Sequence, residues 1–117
     1  MGEKTNYKLI LAVLQGDDYH EVVYQLNQNG YYATLLHSSG GFLKKRSMTI
    51  MIGVEEEKLE GALKILKEHA GKRIETVLPP AVAYSMPTEG AVPAVPVQMP
   101  QGGVTIFVLD MDRLEHY

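Results

Sequence analysis

No cysteine occurs anywhere in the chain. That absence excludes disulfides, thiolate zinc sites and a cysteine nucleophile, and it suits the cytoplasm. Also missing is any apolar run of the roughly 20 residues that a membrane span needs. The opening segment MGEKTNYK lacks the basic-then-apolar arrangement of a secretory signal. The chain starts Met-Gly, but Asn6 stands where a myristoylation signal prefers Ser or Thr. Basic residues are too few for a general nucleic-acid binder: 11 Lys and Arg against 14 Asp and Glu give a net charge of -3 and a pI near 5.8. Neither nucleic acid nor a membrane is therefore expected as a partner. Proline is absent outside one segment, since all six prolines lie within residues 79–102. What remains has ordinary globular proportions, 45% apolar and 21% charged over 117 residues, and fits one domain spanning residues 1–117.

Residues 8–15 are a short continuous apolar run, and their length favours a strand buried on both faces. Gly16 and Asp17 end it, and Asp17 or Asp18 is placed to cap a helix. Tyr19, Val22, Val23 and Leu26 make that helix's apolar stripe, and Asn29-Gly30 stops it. Residues 31–37 read as a second strand, 38–47 as a loop and 48–52 as a third strand. Glu55, Glu56 and Glu57 suit the start of a second helix, where the dipole favours negative charge. Leu59, Ala62, Leu63, Leu66 and Ala70 form its stripe, and Gly71 caps it. Residues 72–78 alternate like a partly exposed strand. The proline-rich stretch 79–102 is expected to be an extended, non-helical loop, of a length usually found in functional or mobile segments. Residues 104–109 form a last apolar strand, and 110–117 a tail with room for one helical turn.

The order β-α-β-β-α-β is the ferredoxin-like pattern, here followed by a long loop and an extra strand, so the fold class is α+β. Two helices cover one face of the sheet. The strands at 9–14, 48–52 and 104–109 are apolar on the other face too, and no chain is left to cover it. Another subunit is the expected cover, with Ile10, Ala12, Ile50, Ile52, Ile106 and Val108 in the core of the assembly.

The loop at 38–47 is the sharpest local feature. Gly40-Gly41 permits close backbone approach to an anion, Lys44, Lys45 and Arg46 bring positive charge, and Phe42 offers an aromatic face. Together these suit a nucleotide phosphate and its base. A lone Gly-Gly is a weak signal, and on residues alone a hairpin with a solvated basic tip is the favoured explanation. His20, His37, His69 and His116 lie in different elements without metal-ligand spacing, so no metal site or cofactor is expected. No nucleophile–base pair can be placed together, so the protein is not expected to be an enzyme. Tyr31 and Tyr32 point to opposite faces at the start of the second strand, so only one of them can face the core.

Several segments resemble the cyclic-di-AMP receptor proteins of the PII-like superfamily. They are Val13-Leu14-Gln15, Ala33-Thr34, Gly40-Gly41-Phe42-Leu43 and Gly102-Gly103-Val104-Thr105-Ile106-Phe107-Val108, on the fold string above. The resemblance runs from about Lys8 to Tyr117. It implies a PII-like homotrimer that binds its dinucleotide in clefts between subunits. It also implies a non-enzymatic, cytoplasmic signalling role, relayed through ordering of the loops at 38–47 and 79–102 to an unknown protein target. Carried over by position, it implies that Thr34, Gly41, Phe42, Leu43 and Gly53 line the ligand site. Two positions depart from the family pattern: Tyr32 stands where Arg is usual, and Ser47 where Asn is usual. Losing a planar cation beside a phosphate is not conservative. Lys44, Lys45 and Arg46 are the cations available to compensate. The alternatives are another adenine nucleotide, a carboxylate anion, or a pure protein-interaction module with the proline-rich loop as its docking arm. Sedimentation equilibrium at micromolar concentration is expected to give about three times 13.0 kDa; a stable monomer would remove the basis for an intersubunit site.

Overall fold

The computed structural model describes residues 6–39, 46–77 and 96–117. The elements are β1 (Tyr7–Gln15), α1 (Gly16–Gln28), β2 (Ala33–Ser39), β3 (Ser47–Glu55), a single 3-10 turn (Glu56–Lys58), α2 (Leu59–Ala70), β4 (Arg73–Val77), β5 (Val97–Gln101) and β6 (Val104–Met111). No helix among the described residues is long and apolar enough to cross a membrane. The chain forms two compact units, one from its residues up to Gly71 together with Gly102–Tyr117, the other from Lys72 to Gln101.

The first unit is a four-stranded antiparallel sheet in the order β2-β3-β1-β6, with α1 and α2 on one face. This is the expected α+β, ferredoxin-like arrangement, with one exchange. The fourth position, beside β1, is filled by β6 and not by the strand at 73–77. The reason lies in composition. A strand beside β1 on this sheet must offer apolar residues to the helix layer, and Val104 and Ile106 do so opposite Leu14 and Ala12. The polar alternation of β4 suits an exposed strand, and β4 pairs with β5 in a separate two-stranded ribbon.

Alternation of side chains in β1 and β3 sorts them onto two faces. Ile10, Ala12 and Leu14 of β1 and Met48, Ile50, Ile52 and Val54 of β3 are buried against Val22 and Leu26 of α1 and Ala62, Leu66 and Ala70 of α2. The six residues expected in the core of an assembly therefore all lie on the helix side of the sheet. Four of them are fully buried within the subunit, Ile106 is half-buried, and Val108 is exposed on the edge strand. The uncovered face belongs to their neighbours, because one step along a strand reverses the side. It carries Leu9, Leu11 and Val13 of β1, Met51 of β3, and Phe107 and Leu109 of β6. Phe107 is 53% exposed.

Three local expectations need correction. The N-cap of helix α1 is Gln15, which makes no side-chain cap bond, and Asp17 and Asp18 lie in the first turn, inside the cap; Gly16 N–H donates to the Arg46 carbonyl at 2.7 Å. The strand ends directly in the helix, so the cap position falls on the strand's last residue. The loop expected over 79–102 contains strand β5, and residues 78–95 lie outside those described. Pro100 is compatible with β5 because proline is tolerated in edge strands, and a two-stranded ribbon has only edges. The tail forms no helical turn; β6 runs on to Met111, and the chain after it is irregular.

Lys8 and Asp110 face each other across β1 and β6 and form an ion pair. The hydrogen bond from Lys8 holds the Asp110 carboxyl below its ordinary range, and the same bond raises the lysine. Tyr31 supplies the lead into β2. Its ring packs on the core, and its hydroxyl donates to the Lys58 carbonyl at 2.8 Å. Tyr32 is 76% exposed, so the tyrosine pair divides as expected.

That hydroxyl occupies the place where a side chain would begin at Gly61 of α2. Glycine inside a helix is ordinarily unfavourable by about 1 kcal/mol relative to alanine, and here it makes room for the tyrosine. Gly61→Ala is expected to lower stability by about 1–3 kcal/mol in urea unfolding at fixed protein concentration, as overpacking does, in spite of the better helix former. Adding Tyr31→Phe should recover part of that loss, because the ring carbon below the hydroxyl stands at 3.5 Å, an ordinary contact.

Candidate functional site

The register of the sheet decides which candidate residues meet. Ser47, Thr49, Met51 and Gly53 alternate along β3 on the uncovered face, and Thr34 of β2 stands opposite Met51 on that same face. Thr34, Ser47 and Gly53 therefore share one surface. Ser47 and Gly53 are six residues apart on an extended strand, roughly 20 Å at the usual strand rise, with Thr34 beside the middle of that line. Thr34 is exposed and Ser47 half-buried. Tyr32 projects into solvent two residues before Thr34. A bulge at Leu36 shifts the register of β2, after which His37 pairs with Thr49. Gly41, Phe42, Leu43, Lys44 and Lys45 lie outside the described residues.

Arg46 is exposed, and it lies at the entry to α1. Its carbonyl accepts from Gly16, and its side-chain carbons stand 3.0–3.2 Å from where a Gly16 side chain would begin. The arginine stem thus lies across the start of the helix, where free N–H groups and the dipole favour an anion. Asp17 and Asp18 supply negative charge in the same turn. Among the described residues no group of His, Asp and Glu is arranged to hold a metal.

An apolar concavity of about 510 Å³ lies at the other edge of the sheet, lined by Leu11, Ile106, Phe107, Val108 and Leu109. None of the candidate residues reaches it. It offers no side chain that could orient a phosphate or a base, so it is not part of this site.

Gln15, Gly102 and Gly103 have a structural role that no local sequence pattern shows. Gln15 follows the last paired residue of β1 on the β6 side, and its side-chain amide continues the ladder where the backbone stops. Its Nε2 donates to the Gly102 carbonyl at 3.0 Å, and its Oε1 accepts from the Gly102 N–H at 3.3 Å. Gly103 N–H donates to the Ala70 carbonyl at the end of α2 at 2.8 Å. Both glycines have positive φ, 80° and 127°, which other residues rarely adopt. The Gly-Gly pair before β6 is thus a backbone device that anchors the chain on its return to the sheet. Across β1, Gln15 also pairs with Ser47, so this anchor abuts one end of the candidate surface.

A protein of Pediococcus pentosaceus ATCC 25745, described as functionally unknown, is 30% identical over 97% of this chain and 100% of its own, with a TM-score of 0.76. Arabidopsis thaliana PII bound to citrate is 16% identical over 92% of this chain and 77% of its own, with a TM-score of 0.49. The model of the cyclic-di-AMP receptor family matches residues 7–117, and the chain belongs to that family.

Gln15→Glu is expected to destabilise the protein, because a carboxylate cannot donate to the Gly102 carbonyl and would face it. The loss should approach the roughly 1–3 kcal/mol of leaving a shielded carbonyl without its partner. Gly103→Ala should cost about as much through backbone strain. Thermal unfolding of the two variants and their combination checks both. Because they act on one turn, the combined loss should fall short of the sum.

Proposed function

We propose that the protein is a non-enzymatic signalling protein, a single PII-like domain over residues 1–117, that binds cyclic-di-AMP between the subunits of a homotrimer in the cytoplasm. The observation that carries this reading is the family match, which spans both the candidate loop and the final strand. The geometry supports it in two ways. Thr34, Ser47 and Gly53 share a surface long enough for a two-base ligand, with a hydroxyl at its middle, a hydroxyl at one end and a glycine at the other. That surface adjoins the apolar residues Leu9, Leu11, Phe107 and Leu109, which a single chain leaves uncovered. A neighbouring subunit seated there would wall the ligand in.

In this reading Thr34 hydrogen-bonds phosphate or base, Gly41 gives a backbone N–H, and Phe42 and Leu43 sandwich an adenine. Lys44, Lys45 and Arg46 offset the phosphate charge. Ligand binding orders the loops at 38–47 and 79–102 and so alters a surface that a protein target reads. Tyr32 and Ser47, in place of the family's usual Arg and Asn, favour a second reading: the same fold and site, with another adenine nucleotide or a different small anion as ligand.

Calorimetric titration of cyclic-di-AMP against other adenine nucleotides tests the two. Stacking on an aromatic ring is worth roughly 1–3 kcal/mol, so Phe42→Ala should weaken binding by about 5- to 150-fold. Replacing Lys44, Lys45 and Arg46 together should weaken it further and flatten its salt dependence. Tyr32→Arg with Ser47→Asn should raise affinity for cyclic-di-AMP. If neither the natural chain nor that double variant binds cyclic-di-AMP while another nucleotide does, the second reading stands.

A further inference from the structure

We propose that Leu114, in the irregular segment after β6, is a built-in competitor for the ligand at Gly53. The inference rests on the reading of Gly53 as a ligand-facing residue.

Gly53 lies within β3, opposite Leu9 of β1, on the uncovered face of the sheet. It is not among the glycines with positive φ, so its extended backbone would accept any residue. What the missing side chain provides is a hollow in the sheet surface. A glycine inside a strand often marks a place where something approaches the backbone closely. Here that something is part of the same chain. The two methyls of Leu114 lie 3.4 and 3.5 Å from where a Gly53 side chain would begin, and the Met111 methyl lies at 3.6 Å. These are ordinary contact distances, and Gly53 itself stays exposed, so Leu114 lies over the hollow without sealing it. A ligand group larger than a methyl that settled over Gly53 would meet Leu114 where it is seated.

The two occupants are held differently. Met111 is the last residue of β6 and is fixed by pairing with Tyr7. Leu114 belongs to no helix or strand and is 49% exposed. Arg113 and Glu115, which flank it, pair with each other at 3.4 Å on the surface. Leu114 is thus a half-covered side chain on a segment that pairs with no strand, resting against an exposed glycine. That is what a displaceable competitor requires: a contact that occupies the space over Gly53 in the free protein and is weak enough for a ligand to replace. Removing it relieves the ligand of a competitor without touching the groups that would bind.

Calorimetric titration with cyclic-di-AMP tests this on the full chain, on Leu114→Ala and on a chain ending at Asp112. Both variants are expected to bind about three- to tenfold more tightly than the full chain, as fits the release of a leucine about half covered. Tyr117→Ala, which changes a fully exposed side chain, is expected to bind like the full chain. Methyl NMR supplies a second reading. Adding cyclic-di-AMP to the full chain should move the Met111 methyl signal toward its position in ligand-free Leu114→Ala. Unchanged affinity in Leu114→Ala would overturn the proposal. Weaker affinity would overturn it also, by placing Leu114 among the groups that hold the ligand. Binding to the full chain that leaves the Met111 signal where it was would do the same. Either way the site reading survives. If none of the chains binds cyclic-di-AMP, the site reading itself fails and this proposal falls with it.

Discussion

Strand β1 is the constraint on which the rest depends. It pairs with β3 on one side and β6 on the other, and its side chains are apolar on both faces from Leu9 to Leu14. A central strand of this kind has no polar side to show to water, so each face needs a layer. Helices α1 and α2 provide one through Val22, Leu26, Ala62 and Leu66. Nothing among the described residues provides the whole of the other. The uncovered face therefore concentrates what the protein has left to do: it carries the candidate ligand residues, the apolar area open to a neighbour, and the hollow that Leu114 overlies. Structure and proposed function meet on the same strands because one layer of helices cannot cover two faces.

The local elements were readable because their causes are local. The β1, α1, β3 and α2 patterns each contain the period that forms them, and their ends are marked by Gly, Asn-Gly or a run of acids. Topology was harder. The segments 72–78 and 104–109 both read as strands, and nothing within either says which one joins β1. The answer turned on Val104 and Ile106 packing against the helix layer, a contact between distant parts of the chain. Strand β5 was hidden by its composition, since Pro96 and Pro100 mark loops in most settings and are harmless only on an edge. The faces were hidden by parity. Ile10 and Leu11 look alike in sequence, yet one is in the subunit core and the other is on the uncovered side.

The same distinction governs the candidate site. Thr34, Ser47 and Gly53 could be named from resemblance, and the register places them on one surface. Gln15 and Leu114 could not be found in this way. Gln15 acts on a partner 87 residues away, and no local pattern announces such a bond. Leu114 looks like any surface leucine until the glycine beneath it is known. The Gly-Gly pair before β6 carries a different lesson. A motif that helps to identify a family need not touch its ligand; Gly102 and Gly103 owe their place to dihedral angles and to two anchoring contacts.

Those anchors have a consequence for how such chains can change. The carbonyl of Ala70 and the N–H of Gly103 are joined directly, so the chain leaves the first unit and returns to it at nearly one point. Everything from Lys72 to Gln101 is then an excursion whose two ends are already stapled. The entropy of closing a loop grows only with the logarithm of its length, and doubling it costs only about 0.6 kcal/mol. The sheet, the helices and the surface around Gly53 are thereby insulated from insertions, deletions or wholesale exchange in that stretch. A change of length or composition there leaves the rest of the fold as it is, much as a tool handle accepts different heads.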